Sequence, residues 1–132
     1  MKNPQLFKLV ILLFMSSKCI AESCPADSFD DFSRIFISEI EVQTRYTAKP
    51  VDIVFYQDLD GDIKEVNESR FFKLSDFPVV SSKGADGDRE IKVDKDNLEA
   101  VIKGRDSGYQ VSLSFSKKDK CWYLVKITDH SM

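Results

Sequence analysis

Histidine is almost missing from this chain: His130, near the C-terminal end, is the only one. A Ser-His-Asp or Cys-His arrangement would depend on that one residue in a region where order is usually poorest, so nucleophilic catalysis of those kinds is not expected. Cysteine is scarce too, with Cys19, Cys24 and Cys121 alone. A tetrahedral zinc site needs more thiolate and imidazole ligands than that. No apolar run approaches the roughly 20 residues needed to cross about 30 Å of hydrocarbon. A basic excess is also lacking: 19 Lys and Arg stand against 22 Asp and Glu, a formal charge of −3, which disfavours nucleic acid as a partner. The chain has no internal repeat and no low-complexity tract, and no cofactor is expected.

What the first residues do contain is the pattern expected of an export signal. Lys2 and Lys8 give a basic start, an apolar run covers 9–15, and Cys19-Ile20-Ala21 puts small residues before a cleavage point. Residues 1–21 are therefore predicted to be a signal peptide, and 22–132 a single α+β domain of 111 residues, enough for one core. Lys18 and Glu22 argue against lipid attachment at Cys19 or Cys24. Removing the signal takes away three lysines and no acids, leaving 16 basic against 22 acidic residues, a balance of −6. The protein is expected to be periplasmic or secreted, with no membrane span after the signal is removed. Two cysteines then remain in an oxidising compartment, which predicts a Cys24–Cys121 disulfide. A reactive thiol would need a neighbouring base or metal, and no such partner is visible.

Beyond the signal, Ser28 suits the N-cap of a helix with Asp30 and Asp31 in its first turn, where negative charge meets the positive end of the dipole. Phe29, Phe32, Ile35, Phe36 and Ile40 recur at spacings of three and four, an apolar stripe expected to pack on a sheet. From Glu41 onward the pattern turns to short β-branched and aromatic stretches. Strands are predicted at VDIVFYQ, IKEVNESRFFKL (one strand or two), REIKV, GYQVSLSFSKK and CWYLVKITD, while DNLEAVIKG reads either as a strand over 99–103, the preferred reading, or as a short helical turn capped by Gly104. Short connections between them favour an antiparallel sheet. SDFPVVSSKGADGD, with Pro78, Gly84 and Gly87, reads as an exposed loop.

Three constellations carry any chemistry. Asp58, Asp60 and Asp62 offer hard oxygen ligands of the kind calcium takes, but Gly61 stands fourth where a helix-loop-helix calcium site has its glycine sixth, and Ser69 stands where that site has a bidentate Glu. Asp60-Gly61 between two strand-like runs is a hairpin signal, and the turn is the preferred reading there and at Asp86-Gly87-Asp88. The many acids leave open an Asp or Glu made into a general base by a half-open pocket. Aromatics are numerous, and consecutive pairs such as Phe71-Phe72 and Trp122-Tyr123 must point to opposite faces of a strand. Tyr46, Tyr56, Trp122 and Tyr123 are accordingly expected to line a ligand pocket or a protein interface, with core filling as the alternative.

The order FDDFSRIF, EVQTRY and closing WYLVKITDHS resembles a family of exported bacterial proteins classed as domain of unknown function 4348. The resemblance rests on Phe29, Phe32 and Phe36, on Gln43 and Arg45, and on Trp122-Tyr123. It implies a cystatin-like, nuclear transport factor 2-like fold, in which a helix lies in the concave face of a strongly bent antiparallel sheet. That family has no assigned activity, so it implies no catalytic residue. The expected function is a non-catalytic exported module binding a protein or small ligand, with inhibitor and immunity protein among the roles that fit; the alternative is a small isomerase- or dehydratase-type enzyme with an Asp or Glu base in the cone.

Overall fold

The computed structural model describes residues 23–85 and 87–131. The expected signal peptide, with its cleavage point, and Asp86 of the second turn lie outside the described residues. Helix α1 (Phe29–Ser38) starts where the cap pattern places it: the Ser28 hydroxyl oxygen accepts the Asp31 N–H at 3.2 Å. It breaks at Glu39, whose backbone is extended, and a second helix, α2 (Ile40–Arg45), follows. The expected change to strand at Glu41 is thus corrected, since helix persists to Arg45 because Gln43 is fixed from inside. Its side chain is 1 % exposed and donates to the Ile37 carbonyl, which the break at Glu39 has left outside the helical ladder. Ile40 falls off the buried stripe for the same reason and is 53 % exposed, while Ile37 takes an inner position.

Six strands form the main sheet: β1 (Thr47–Leu59), β2 (Asp62–Arg70), β5 (Glu90–Asp94), β6 (Glu99–Lys103), β7 (Gln110–Lys118) and β8 (Cys121–Asp129), in the order β2-β1-β8-β7-β6-β5. A small ribbon of β3 (Lys83–Gly84) and β4 (Gly87–Asp88) stands apart. Neighbours are antiparallel except β1 and β8, which run parallel, so the sheet is mixed rather than antiparallel throughout. Hairpins account for every other pairing, whereas the last strand returns to the centre beside the first. Register shifts interrupt β1 between Thr47 and Asp52, where Pro50 has no N–H to donate, and β7–β8 between Ser114 and Phe115. Such bulges bend and twist a sheet, and the curvature makes a concave face.

Alternation along β7 puts Val111, Leu113 and Phe115 on that face, and the register carries Leu124, Ile127, Ile53 and Phe55 with them. Helix α1 covers one half of it. Phe32 meets Phe115 edge-on at 5.8 Å, Tyr46 edge-on at 5.6 Å and Trp122 at 5.4 Å, while Phe36 meets Phe115 at 5.1 Å. The Cys24–Cys121 disulfide closes this end, with Cα atoms 5.4 Å apart.

At the tip of the β1–β2 hairpin, Asp60 (φ 55°) and Gly61 (φ 91°) form a two-residue turn closed by Leu59 and Asp62. The Asp58 carboxylate accepts the Gly61 N–H at 2.9 Å, so its nearest charge-assisted partner is the turn itself. Among the described residues no group of three or more His, Cys, Asp or Glu converges as a metal site. Gly61→Val is expected to cost about 1–2 kcal/mol, because a Cβ meets nothing within 4 Å and only the left-handed backbone resists it. Urea melts of the two proteins check this, and calcium is expected to leave the parent midpoint where it is. A calcium-dependent rise lost in Asp58→Asn would contradict the turn assignment.

Candidate functional site

Helix α1 covers only half of the concave face. The other half, from β8 to β2, faces a cavity of about 510 Å³. Its floor is Ile53, Phe55 and Ile127, with Glu68 and Arg70 from β2 on the same face by register. Its wall is the segment 71–82, which brings Phe72, Asp76, Pro78 and Val79. Phe72 and Phe77 brace one another edge-on at 5.8 Å. The segment is held down by Gln43: Val79 N–H donates to its Oε1 at 2.8 Å, and its Nε2 donates to the Val80 carbonyl at 3.1 Å. Val80 is 3 % exposed. The exposed-loop reading of 75–88 is therefore corrected at Val79 and Val80, which are apolar enough to be drawn onto the core.

Three carboxylates and one guanidinium line the cavity. Glu68 pairs with Arg70 at 2.6 Å, Asp76 accepts the Lys73 N–H at 2.7 Å, and Asp129 accepts the Ser131 N–H at 2.9 Å. All three carboxylates belong to exposed residues. The arrangement offers an apolar floor with a negative rim, suited to a group that is apolar in body and cationic at one end.

The four aromatics singled out from the sequence do not form one surface. Tyr46, at the end of α2, and Trp122, in β8, are each 5 % exposed and sit in the core against Phe32 of α1. As surface residues they are corrected to core. Tyr123 is half-buried against Tyr46 at 5.4 Å and lines a separate shallow hollow with Arg45 and Lys118. Tyr56 stays exposed, is the one of the four that lines the groove, and stacks on His130 at 5.7 Å. His130 is held in place as well by its N–H to the Gln110 carbonyl, 2.8 Å, which extends the β7–β8 ladder. The wall residues and the Glu68–Arg70 pair went unnoticed in the sequence, although an apolar FPVV inside a polar loop was the signal that could have found the wall.

A second cavity, about 560 Å³, lies where β5 begins and β6 ends, lined by Asp88, Arg89, Glu90, Lys103, Gly104 and Arg105. It is larger but offers no apolar side chain, so the concave groove is the stronger candidate. Arg89 is already engaged, 3.7 Å above the Tyr109 ring and donating to the Ser81 carbonyl at 3.2 Å. Burial pushes the Tyr109 phenol above its usual range, with Arg89 pulling the other way.

No family model and no curated protein matches the chain. Among solved structures it is similar to an NTF2-like protein from Bacteroides fragilis NCTC 9343, with a TM-score of 0.53 and 25% identity over 87% of this chain. The match takes in 51% of that protein, so this chain spans about half its length. Helices set on a bent mixed sheet, together with this likeness, give the chain an α+β, nuclear transport factor 2-like fold.

Proposed function

We propose that this chain is an exported, non-catalytic binding module, akin to the domain of unknown function 4348 proteins it resembles, that holds its ligand in the groove between β1, β2, β8 and the segment 71–82. One observation carries the reading: every carboxylate in the groove is exposed and already accepts a hydrogen bond or ion pair. A carboxylate base in a cone relies on desolvation, and these are solvated. The fold is compatible with binding and with catalysis alike, so the preference for binding rests on the groove chemistry. The disulfide fits export, and no helix among the described residues is long and apolar enough to cross a membrane. An inhibitor or immunity role would place a partner's cationic, apolar side chain in the same groove.

Thioflavin T, an apolar cation, tests the reading. Its fluorescence is expected to rise with the parent protein and to fall back toward the free-dye level with Ile127→Trp, which fills the floor. Equal fluorescence with both proteins, while Ile127→Trp melts as the parent does, would remove the groove as the site.

A further inference from the structure

Strand β2 is one edge of the main sheet and is nine residues long. All of it is exposed except the half-buried Val66, and its pairing with β1 runs from Leu59↔Asp62 to Val51↔Arg70 without a bulge. Edges of this length are usually blunted by charged side chains, proline, a bulge or a covering loop. This one carries only charges, and their order is the clue.

In a two-residue hairpin the closing pair is hydrogen-bonded, and the pattern alternates from there. Residues 62, 64, 66, 68 and 70 thus turn their N–H and C=O groups toward β1, and 63, 65, 67 and 69 turn theirs outward. The even set also shares one face, as the Glu68–Arg70 contact at 2.6 Å shows. We propose that β2 pairs antiparallel with β2 of a second copy about a two-fold axis through Val66, joining the two sheets edge to edge.

The register is dictated by charge and backbone together. With Val66 opposite the partner's Val66, Asp62 faces the partner's Arg70 and Lys64 faces the partner's Glu68, and symmetry repeats both pairs. The outward residues then meet one another, 63 with 69 and 65 with 67, so their N–H and C=O groups can bond. Moving the axis to Glu65 sets Asp62 against the partner's Glu68; moving it to Asn67 sets Lys64 against the partner's Arg70. Odd shifts would oppose outward groups to inward ones. On the opposite face Ile63 lies diagonally across from the partner's Phe71, covering two of the chain's large exposed apolar side chains, 57 % and 67 % exposed. The partner's Lys64 would also arrive at Glu68, on the rim of the groove.

Sedimentation of the purified protein over a range of concentrations tests this. A dimer is expected. Lys64→Glu and Glu68→Lys should each weaken it by about tenfold to a hundredfold, since each turns an attractive symmetric pair into a repulsive one. Mixing the two variants should restore a dimer containing one copy of each, because one copy then carries acids at positions 64 and 68 and the other carries lysines at both. That rescue also excludes misfolding as the cause. A parent that stays monomeric, or a dimer indifferent to both reversals, would overturn the proposal.

Discussion

Removing the disulfide in a Cys24→Ser, Cys121→Ser variant is expected to destabilise the protein by about 3–5 kcal/mol and to lower its melting temperature by roughly 10–20 °C. The bridge spans 97 residues of sequence, so it restricts the unfolded chain over most of the length of the folded part. The chain-entropy model assigns loops of this size the upper end of the range. In the folded state the bond ties the segment before α1 to the first residue of β8, next to Trp122, whose ring packs on Phe29 at 5.8 Å. Without it, α1 keeps its aromatic contacts, so the variant should still fold. Reduced parent and double variant are expected to melt together; a double variant that melts with the oxidised parent would contradict this.

Gln43→Ala is expected to cost about 3–4 kcal/mol, a large effect for one polar side chain. The side chain satisfies three backbone groups at once, the carbonyls of Ile37 and Val80 and the N–H of Val79. An alanine leaves them without that partner at a site where Gln43 is 1 % exposed. Each stranded buried group costs about 1–3 kcal/mol, and some of the total is recovered as the 71–82 segment lifts and takes up water. Gln43→Glu keeps the acceptor for Val79 but loses both donated bonds and buries a charge, so it should be no better than alanine. Denaturant melts measure the cost, and exchange of the Val79 amide localises it. A loss below about 1 kcal/mol with Val79 still protected would mean that the segment is held by its apolar contacts alone. Thioflavin T binding should fall with Gln43→Ala, because Phe72, Pro78 and Val79 form the groove wall.

Much of the fold was legible where local signals agree. Ser28 with Asp30 and Asp31 marked the start of α1, Asp60-Gly61 marked the hairpin, and strands 99–103 and 121–129 fall where their β-branched and aromatic residues placed them. Features decided by distant contacts were not legible. Helix α2 ends in β-branched and polar residues that read locally as strand, yet Gln43 makes its bonds to Val79 and Val80, 36 and 37 residues away. The parallel pairing of β1 with β8 depends on a return across the whole sheet, which no hairpin rule reports. Tyr46 and Trp122 looked like surface anchors because sequence shows their alternation but not which face α1 covers. The groove suffered most, since its wall and floor come from three separate strands and a segment that meet only in the folded chain.

Amide NMR of the isotopically labelled protein titrated with phenethylamine, a small apolar cation, shows directly whether the groove holds such a ligand. Shifts are expected within the groove, at Ile53, Phe55, Glu68, Phe72, Asp76, Val79, Ile127 and Asp129, with the amine recovered unchanged. Shifts gathered around Tyr123 or around Arg89 instead, or no shifts at any concentration, would contradict this.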